Sequence, residues 1–168
     1  MTEKLKASVE PLSLGEIVRA ELQRALPEGG WAPPEDVCVE DLILTTGRNY
    51  LAARIGVAVN SPMAWMAVGT GTTAAALTDG STPGLYGEIK RKALSTNSAL
   101  SADNIYTAVA TFGGAADSVS SIAITEGALV NHVGSGQGTM FQRVTFAAVT
   151  MADSDLFKLT LQTNVGST

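Results

Sequence analysis

The sequence has few charged side chains, one cysteine, one histidine and few aromatic residues. Charged residues make up 16% of its 168 residues, whereas a typical soluble domain has roughly 25%. A surface this poor in charge is often covered by a partner or a symmetry mate, although an ordinary surface of Ser, Thr, Asn and Gly has the same composition. The single cysteine, Cys38, excludes an intrachain disulfide.

The charge distribution argues against a nucleic-acid partner, and the hydropathy argues against a membrane. The formal net charge is −5, and the main basic cluster, Lys90-Arg91-Lys92, has only Tyr86 as a nearby aromatic residue. Nucleic-acid-binding faces are basic and usually carry interleaved aromatic side chains. No apolar run approaches the ~20 residues that cross a bilayer, and no apolar segment of a signal peptide follows the N-terminus. We therefore expect a chain made in a cytoplasm, without nucleic acid or membrane as a partner.

The first 36 residues are predicted to form an arm, one helix and a linker. Residues 1–12 are mostly polar, whereas Ser13 and Glu16 match a capping box, which satisfies free N–H groups at a helix start. Apolar positions then recur at steps of three and four residues, which predicts an amphipathic helix over 13–26 with a face formed by Leu14, Ile17, Val18, Leu22 and Leu26. Proline and glycine in residues 27–36 indicate a linker, in which Trp31 needs an apolar site.

Residues 37–168 have the pattern of an antiparallel β domain. Residues 37–46 fit either a strand or a short helix, and residues 50–59 favour a strand. Further strands are predicted at Met63–Val68, Tyr86–Leu94, 105–112, Ser121–Thr125, Met140–Val149 and Leu156–Val165. Because polar and Gly-rich turns separate these strands, the expected fold is mainly β, an antiparallel β-sandwich or jelly roll with one N-terminal amphipathic helix.

The segment from Gly69 to Ala74, Gly-Thr-Gly-Thr-Thr-Ala, formally matches a variant of the dinucleotide-binding fingerprint. In that motif the last residue opens a helix whose N-terminus binds the pyrophosphate. Here Thr78-Asp79-Gly80 follows after about one helical turn, and no βαβ unit comes after it. The context argues against a nucleotide site or any other cofactor, so Gly69 and Gly71 are expected to shape a tight turn at the end of a buried strand.

Few residues are candidates for catalysis or metal binding. His132, the only histidine, precedes the Gly-rich turn 134–138 and is expected to be a polar turn residue, since a zinc site needs about four ligands. Cys38 is expected to be a buried apolar thiol. Acidic side chains in the C-terminal part can gather around an ion, but a turn with carboxylates bound to backbone N–H groups is the simpler interpretation for Asp153-Ser154-Asp155. We therefore expect no enzyme and no metal site.

Glu126 and Arg143 stand out because each interrupts or ends an apolar strand in a chain with few charges. If they face each other across neighbouring strands, they form a buried or interfacial ion pair; the alternative is that both point to solvent. We expect a structural rather than a catalytic pair. The candidate structural or interface residues are therefore Leu14, Ile17, Val18, Leu22, Trp31, Gly69, Gly71, Glu126 and Arg143.

Four segments in this order resemble a group of small structural proteins of tailed bacteriophages. They are residues 65–79, Ile124–Leu129, Gly138–Phe146 and Asp153–Thr163, and the strings ITEGALV and GTMFQRVTFAAV are the most telling parts. The resemblance covers roughly residues 60–165. This chain departs from the pattern in the insertion-like segment Gly80–Gly84 and in its N-terminal part, which leaves the place in the virion open.

The resemblance implies a β-sandwich or jelly-roll module of a virion, without an active site. Such modules occur as head decoration (cement) proteins and as parts of tail fibres. The leading expectation is a decoration protein on the capsid surface, which stabilises the shell by binding the major capsid protein and neighbouring copies of itself. Residues 1–30 would then be a tether that can be deleted without unfolding the β domain. The alternative is a tail-fibre or receptor-binding module.

Overall fold

Two five-stranded antiparallel sheets pack face to face in the computed structural model of this chain. The structure describes residues 15–37, 39–56, 61–81, 84–100 and 105–164. These residues form one α-helix, α1 (Thr45–Gly56), a short 3-10 helix (Asp79–Ser81), and the strands β1 (Gly15–Gln23), β2 (Glu35–Val37), β3 (Val39–Ile43), β4 (Trp65–Gly69), β5 (Glu88–Ala93), β6 (Thr96–Leu100), β7 (Ile105–Gly113), β8 (Ala123–Val130), β9 (Met140–Thr150) and β10 (Leu156–Asn164).

Sheet I has the strand order β2-β1-β10-β7-β6, and sheet II has the order β3-β9-β8-β4-β5. Side chains alternate between the two faces of each strand, so every second residue can point toward the opposite sheet. The central core contains fully buried residues from both sheets, among them Phe112, Phe157, Leu159, Met66 and Val144. The mainly β fold with two antiparallel sheets is therefore confirmed, whereas the jelly-roll arrangement is not confirmed.

The predicted N-terminal helix over residues 13–26 is wrong, because Gly15–Gln23 forms strand β1. This strand pairs along its whole length with β10, and its other edge pairs with β2. Ala20 and Leu22 lie opposite the core residues Leu159 and Phe157, and both are buried themselves. Apolar residues in this segment fit a two-residue spacing as well as a four-residue spacing, and the pairing with β10 decides between them.

The N-terminal part of the described chain consequently belongs to the sandwich. Because β1 lies between β2 and β10, residues 15–37 are integrated into sheet I and are not an appendage in front of residue 37. Deletion of residues 1–30 would remove an internal strand, so the expectation that this segment is a dispensable tether is wrong. Leu14 and the predicted arm over residues 1–12 lie outside the described residues.

The strand expected over residues 50–59 is also wrong for its described part, which belongs to helix α1. In the segment 37–46, for which the sequence leaves strand and helix open, Val37 ends β2, Val39–Ile43 forms β3 and Thr45 begins the helix. Gly47 lets the helix approach strand β9, since a Cβ atom there would lie 2.1 Å from the carbonyl oxygen of Phe141. Tyr50 packs edge-on against the Phe141 ring, with 6.4 Å between ring centroids.

The remaining predicted strands are confirmed with shifted ends; β2 begins inside the predicted linker over residues 27–36, and one further strand has no counterpart in the prediction. The predicted strand Ser121–Thr125 begins at Ala123 and continues to Val130, and the predicted strand Tyr86–Leu94 begins only at Glu88. The missed strand is β6, whose sequence Thr-Asn-Ser-Ala-Leu has little apolar alternation. It lies at the edge of sheet I, where polar residues are tolerated because only one neighbour strand is needed.

Candidate functional site

A second apolar cluster lies on the face of sheet II that is turned away from sheet I. It contains Ala67 of β4, Ala128 and Val130 of β8, and Met140 of β9, all buried. Leu85, from the long connection between β4 and β5, packs into this cluster. We call the described residues of this connection, 70–81 and 84–87, the covering segment, because they lie over the outer face of sheet II.

Arg143 of β9 binds the covering segment to sheet II. Toward the covering segment, its Nη1 donates a hydrogen bond to Asp79 Oδ2 at 2.8 Å, and its Nη2 donates one to the carbonyl oxygen of Thr73 at 2.8 Å. Toward β8, Nε and Nη2 lie 3.0 and 2.8 Å from Glu126 Oε2. The Arg143 and Glu126 side chains are 0% exposed, so the predicted ion pair is present, and Asp79 extends it to a buried triad.

The other oxygen of Glu126 is bound by the backbone of the covering segment. Glu126 Oε1 accepts hydrogen bonds from the N–H groups of Gly71, at 3.0 Å, and Gly87, at 2.8 Å. The hydroxyl of Thr125 donates to the Gly71 carbonyl at 2.8 Å. Both ends of the segment therefore converge on one carboxylate, and charge-assisted bonds of this type are stronger than neutral ones.

The two glycines of the Gly-Thr-Gly turn are required by the space that Glu126 occupies. A Cβ atom on Gly69 or on Gly71 would lie 2.6 or 2.5 Å from Glu126 Oε1, well inside van der Waals contact. The turn thus resembles an anion-binding loop because it does bind an anion, the chain's own carboxylate. No helix follows it in the described residues before the short 3-10 helix, and the Gly71 N–H is used internally.

Tyr86 covers the triad from the solvent side. Its ring lies 4.8 Å from the Arg143 guanidinium carbon, within the range of a cation–π contact. Its hydroxyl donates to Asp79 Oδ1 at 3.1 Å. This hydrogen bond, together with the negative charge of Asp79, raises the pKa of the Tyr86 phenol, because ionisation would place a second negative charge beside the carboxylate. Tyr86 is nevertheless 64% exposed.

A second arginine fixes the Gly-rich turn between β8 and β9. Arg91 binds Glu88 through Nε and Nη2, at 2.7 and 2.9 Å, and its Nη1 donates to the carbonyl oxygens of His132 and Gln137. His132 Nδ1 accepts the N–H of Gly134 at 3.0 Å. The single histidine therefore lies in a turn stabilised by its own neighbours, as its place in the sequence predicts.

Two acidic residues organise loops at the other end of the sandwich. Burial alone would raise the pKa of Asp155, but hydrogen bonds from the N–H groups of Ala152 and Ala25, together with Arg24, outweigh it and lower the pKa. Asp117 behaves alike: burial opposes ionisation, while Lys92 and the N–H of Gly113 lower its pKa. Asp155 thus stabilises the turn after β9 through backbone N–H groups, which is the interpretation that its sequence context favours.

The remaining candidate residues lie apart from the triad. Leu22 is part of the central core, and the backbones of Ile17 and Val18 belong to β1. Trp31 lies between β1 and β2, bridged by its backbone to Ala25, and is 46% exposed. Cys38 lies outside the described residues. Among those that are described, no three metal-binding side chains come together, and no helix has the length and apolarity to span a bilayer.

Sequence reasoning found Glu126 and Arg143 but missed three of their partners. The sequence presents Asp79 as part of a turn, Tyr86 as an aromatic residue near the basic cluster at the start of a predicted strand, and Thr73 as part of the Gly-rich segment. These three residues share one feature in the sequence: all lie in the connection between β4 and β5, of which residues 70–79 belong to the segments that resemble phage proteins. All three bind through contacts between residues far apart in the chain, which a local pattern does not reveal.

Buried as it is, the triad is suited to holding backbone in place and not to meeting a substrate. Arg143, Glu126 and Asp79 satisfy one another and the covering segment, and each is nearly inaccessible to solvent. Comparison with known proteins gives no further guide, because no protein-family model, no curated protein and no solved structure matches this chain.

Proposed function

We propose that this chain is a structural protein of a tailed-bacteriophage virion, and that it acts as a capsid decoration or cement protein. It binds the major capsid protein and neighbouring copies of itself at the capsid surface after synthesis in the host cytoplasm. It has no catalytic role. The proposal rests on the resemblance described above, and one observation about the resembling segments carries it.

Three of the four resembling segments lie side by side in sheet II, and the fourth, Asp153–Thr163, supplies most of β10 in sheet I. The segment 65–79 supplies β4 and the start of the covering segment, ITEGALV supplies most of β8, and GTMFQRVTFAAV supplies most of β9. These three strands are direct neighbours in sheet II, in the order β9-β8-β4. Their charged residues, Glu126 and Arg143, close the covering segment over the outer face. Most of the likeness therefore falls on adjacent strands of one sheet, which supports a common architecture with the phage proteins.

The architecture suits a load-bearing role. Two sheets with a common core resist shear because many backbone hydrogen bonds and core contacts must break together. The buried triad fixes the connection between β4 and β5 through side-chain and backbone hydrogen bonds. Exposed Trp31 offers a large apolar side chain for contact with a neighbouring subunit, and tryptophan is among the residues enriched at binding hot spots.

A shell-binding assay tests this function. Shells assembled from the major capsid protein of the phage that encodes the chain are mixed with the wild-type protein or with Trp31→Ala. We expect the variant to bind with a Kd raised by roughly 30-fold, corresponding to about 2 kcal/mol for a hot-spot residue. Its urea unfolding should be unchanged, because Trp31 is half exposed. Leu77→Ala, at a similarly exposed apolar residue, is the matched control.

Copy number decides between the head and the tail. Quantitative mass spectrometry of purified virions should find hundreds of copies for a decoration protein. Absence from the particles would refute the virion role altogether. Failure of wild-type protein to bind shells, with high copy number in the virion, would refute only the proposed capsid partner.

A receptor-binding or tail-fibre module is the second candidate, and one observation favours it. Carbohydrate-binding sites usually use exposed aromatic side chains in loops, and both Trp31 and Tyr86 are exposed outside the strands. A few to a few dozen copies per virion, together with adsorption of the isolated protein to host cells, would support this candidate over the first.

A further inference from the structure

A cavity of about 260 Å³ lies at one end of the sandwich, between the two sheets and helix α1. The helix contributes Tyr50 and Leu51, sheet II contributes Phe141, and sheet I contributes Tyr106 and Thr163. The volume exceeds the roughly 150 Å³ of an apolar protein cavity that accepts a benzene ring. The space is therefore large enough for one aromatic ring with a substituent.

The walls of this cavity are apolar although several lining residues carry polar groups. The hydroxyl of Tyr50 donates to the carbonyl oxygen of Ser61 at 2.9 Å. The hydroxyl of Tyr106 contacts the Met63 carbonyl and Asn97 Oδ1, and the Asn97 amide donates to the same carbonyl. These groups are occupied by the protein itself, so the tyrosines offer mainly ring surface. Burial raises the pKa of Tyr106 to about 12, which keeps this wall neutral at physiological pH.

Thr163 is the exception among the polar lining residues. It is 1% exposed, and its Oγ1 atom has no hydrogen-bonding partner among the described residues. Leaving a buried hydroxyl without a partner is costly, so such a group in a native protein calls for an explanation such as a bound polar molecule or ion. The cavity thus combines aromatic walls with a single unused hydroxyl group.

We propose that this cavity binds one neutral aromatic group with a single hydrogen-bonding substituent, of the phenol type. The ring packs against Tyr50, Phe141 and Tyr106, and the substituent exchanges a hydrogen bond with Thr163. This site is independent of the virion role. The same chemistry occurs in a free small phenol and in a tyrosine side chain of another protein, and the experiment separates these sources.

The first measurement compares p-cresol with toluene, which lacks only the hydroxyl. Each is titrated into the full-length ¹⁵N-labelled protein and followed by the amide shifts of residues around the cavity. We expect p-cresol to bind about 3- to 10-fold more tightly than toluene, as one net hydrogen bond provides. Thr163→Val should remove this preference, whereas Thr163→Ser should keep it. Thr160→Val, the same change on the same strand and outside the cavity lining, should leave it intact.

Three results would overturn the proposal. The first is no saturable binding of p-cresol up to its solubility limit by the wild-type protein. The second is an unchanged preference for p-cresol in a folded Thr163→Val variant. The third is tighter binding of p-toluate than of p-cresol, which would assign the polar contact to the exposed Arg54 at the rim. Given p-cresol binding, a capped Gly-Tyr-Gly peptide with matching shifts indicates a protein side chain as the natural occupant, and a silent peptide indicates a free phenol.

Discussion

Glu126→Gln tests whether the buried triad holds the covering segment on sheet II. The substitution keeps the size of the side chain and removes its charge. The amide oxygen of glutamine can still accept the N–H groups of Gly71 and Gly87. Its NH₂ group, however, then faces Nε and Nη2 of Arg143, so that donors meet donors at a site without solvent. Arg143 keeps Asp79 and the Thr73 carbonyl as partners.

The magnitude follows from the burial of both charges. Removing one partner of a buried ion pair usually costs about 3–5 kcal/mol, because the remaining charge stays buried without compensation. Asp79 compensates Arg143 in part, so we expect the lower end, about 3 kcal/mol. That is a large share of the 5–15 kcal/mol that stabilises a typical domain. For a chain of this size it corresponds to a fall in Tm of roughly 6–12 °C.

Urea unfolding followed by circular dichroism and tryptophan fluorescence measures the loss of stability, since Trp65 packs against the second apolar cluster on the outer face of sheet II. The control is Glu21→Gln, the same change in an ion pair with Lys158, whose side chain is 47% exposed. Exposed pairs contribute only about 0–1 kcal/mol. If Glu126→Gln and Glu21→Gln unfold within 1 kcal/mol of each other, the triad does not stabilise the fold as described.

Three further substitutions test other parts of the structure. Gly71→Ala places a Cβ atom 2.5 Å from Glu126 Oε1 and should cost about 1–3 kcal/mol in urea unfolding, whereas Gly84→Ala, whose nearest contacts lie at 3.3 Å, should cost less. The pKa of Asp155 is lower in the folded state, so its carboxylate stabilises the fold at pH values above the ordinary pKa of 3.8, and this stabilisation is lost as the pH falls through the lowered pKa. Asp155→Asn should therefore reduce the fall of Tm with pH on the acid side of a Tm-against-pH profile. An unchanged fall of Tm would contradict this prediction. Thr163→Val should raise stability by about 1 kcal/mol, because it removes a buried hydroxyl without a protein partner, and a loss of stability would show that the hydroxyl is satisfied.

The C-terminal half of the fold could be read from the sequence because its information is local. Strand β10 alternates strictly, with Phe157, Leu159 and Leu161 on the buried face. Glu126 and Arg143 could be paired in advance because a charge inside an apolar strand needs a partner. In both cases the residue types alone indicate the environment that each side chain requires in the fold.

The N-terminal half could not be read in this way. Residues 15–23 contain apolar positions that satisfy two periodicities, and a capping-box pattern at Ser13 and Glu16 favours the wrong one. The decision comes from β10, which lies about 140 residues further along the chain and offers a matching edge. Asp79 and Tyr86 were missed for a similar reason, since their roles depend on Arg143 reaching them from the other side of the covering segment.

The pairing of β1 with β10 also means that sheet I cannot be completed until β10 has been synthesised. Strand β1 is internal to sheet I, and one of its two neighbours is β10, which is synthesised after all the other described strands. Contacts between residues so far apart in sequence slow folding, because a long loop must close before they form. Until β10 emerges, the buried faces of β1 and β7 are exposed to other chains. A newly made chain therefore passes through an interval, before β10 is available, in which its unpaired strands can aggregate.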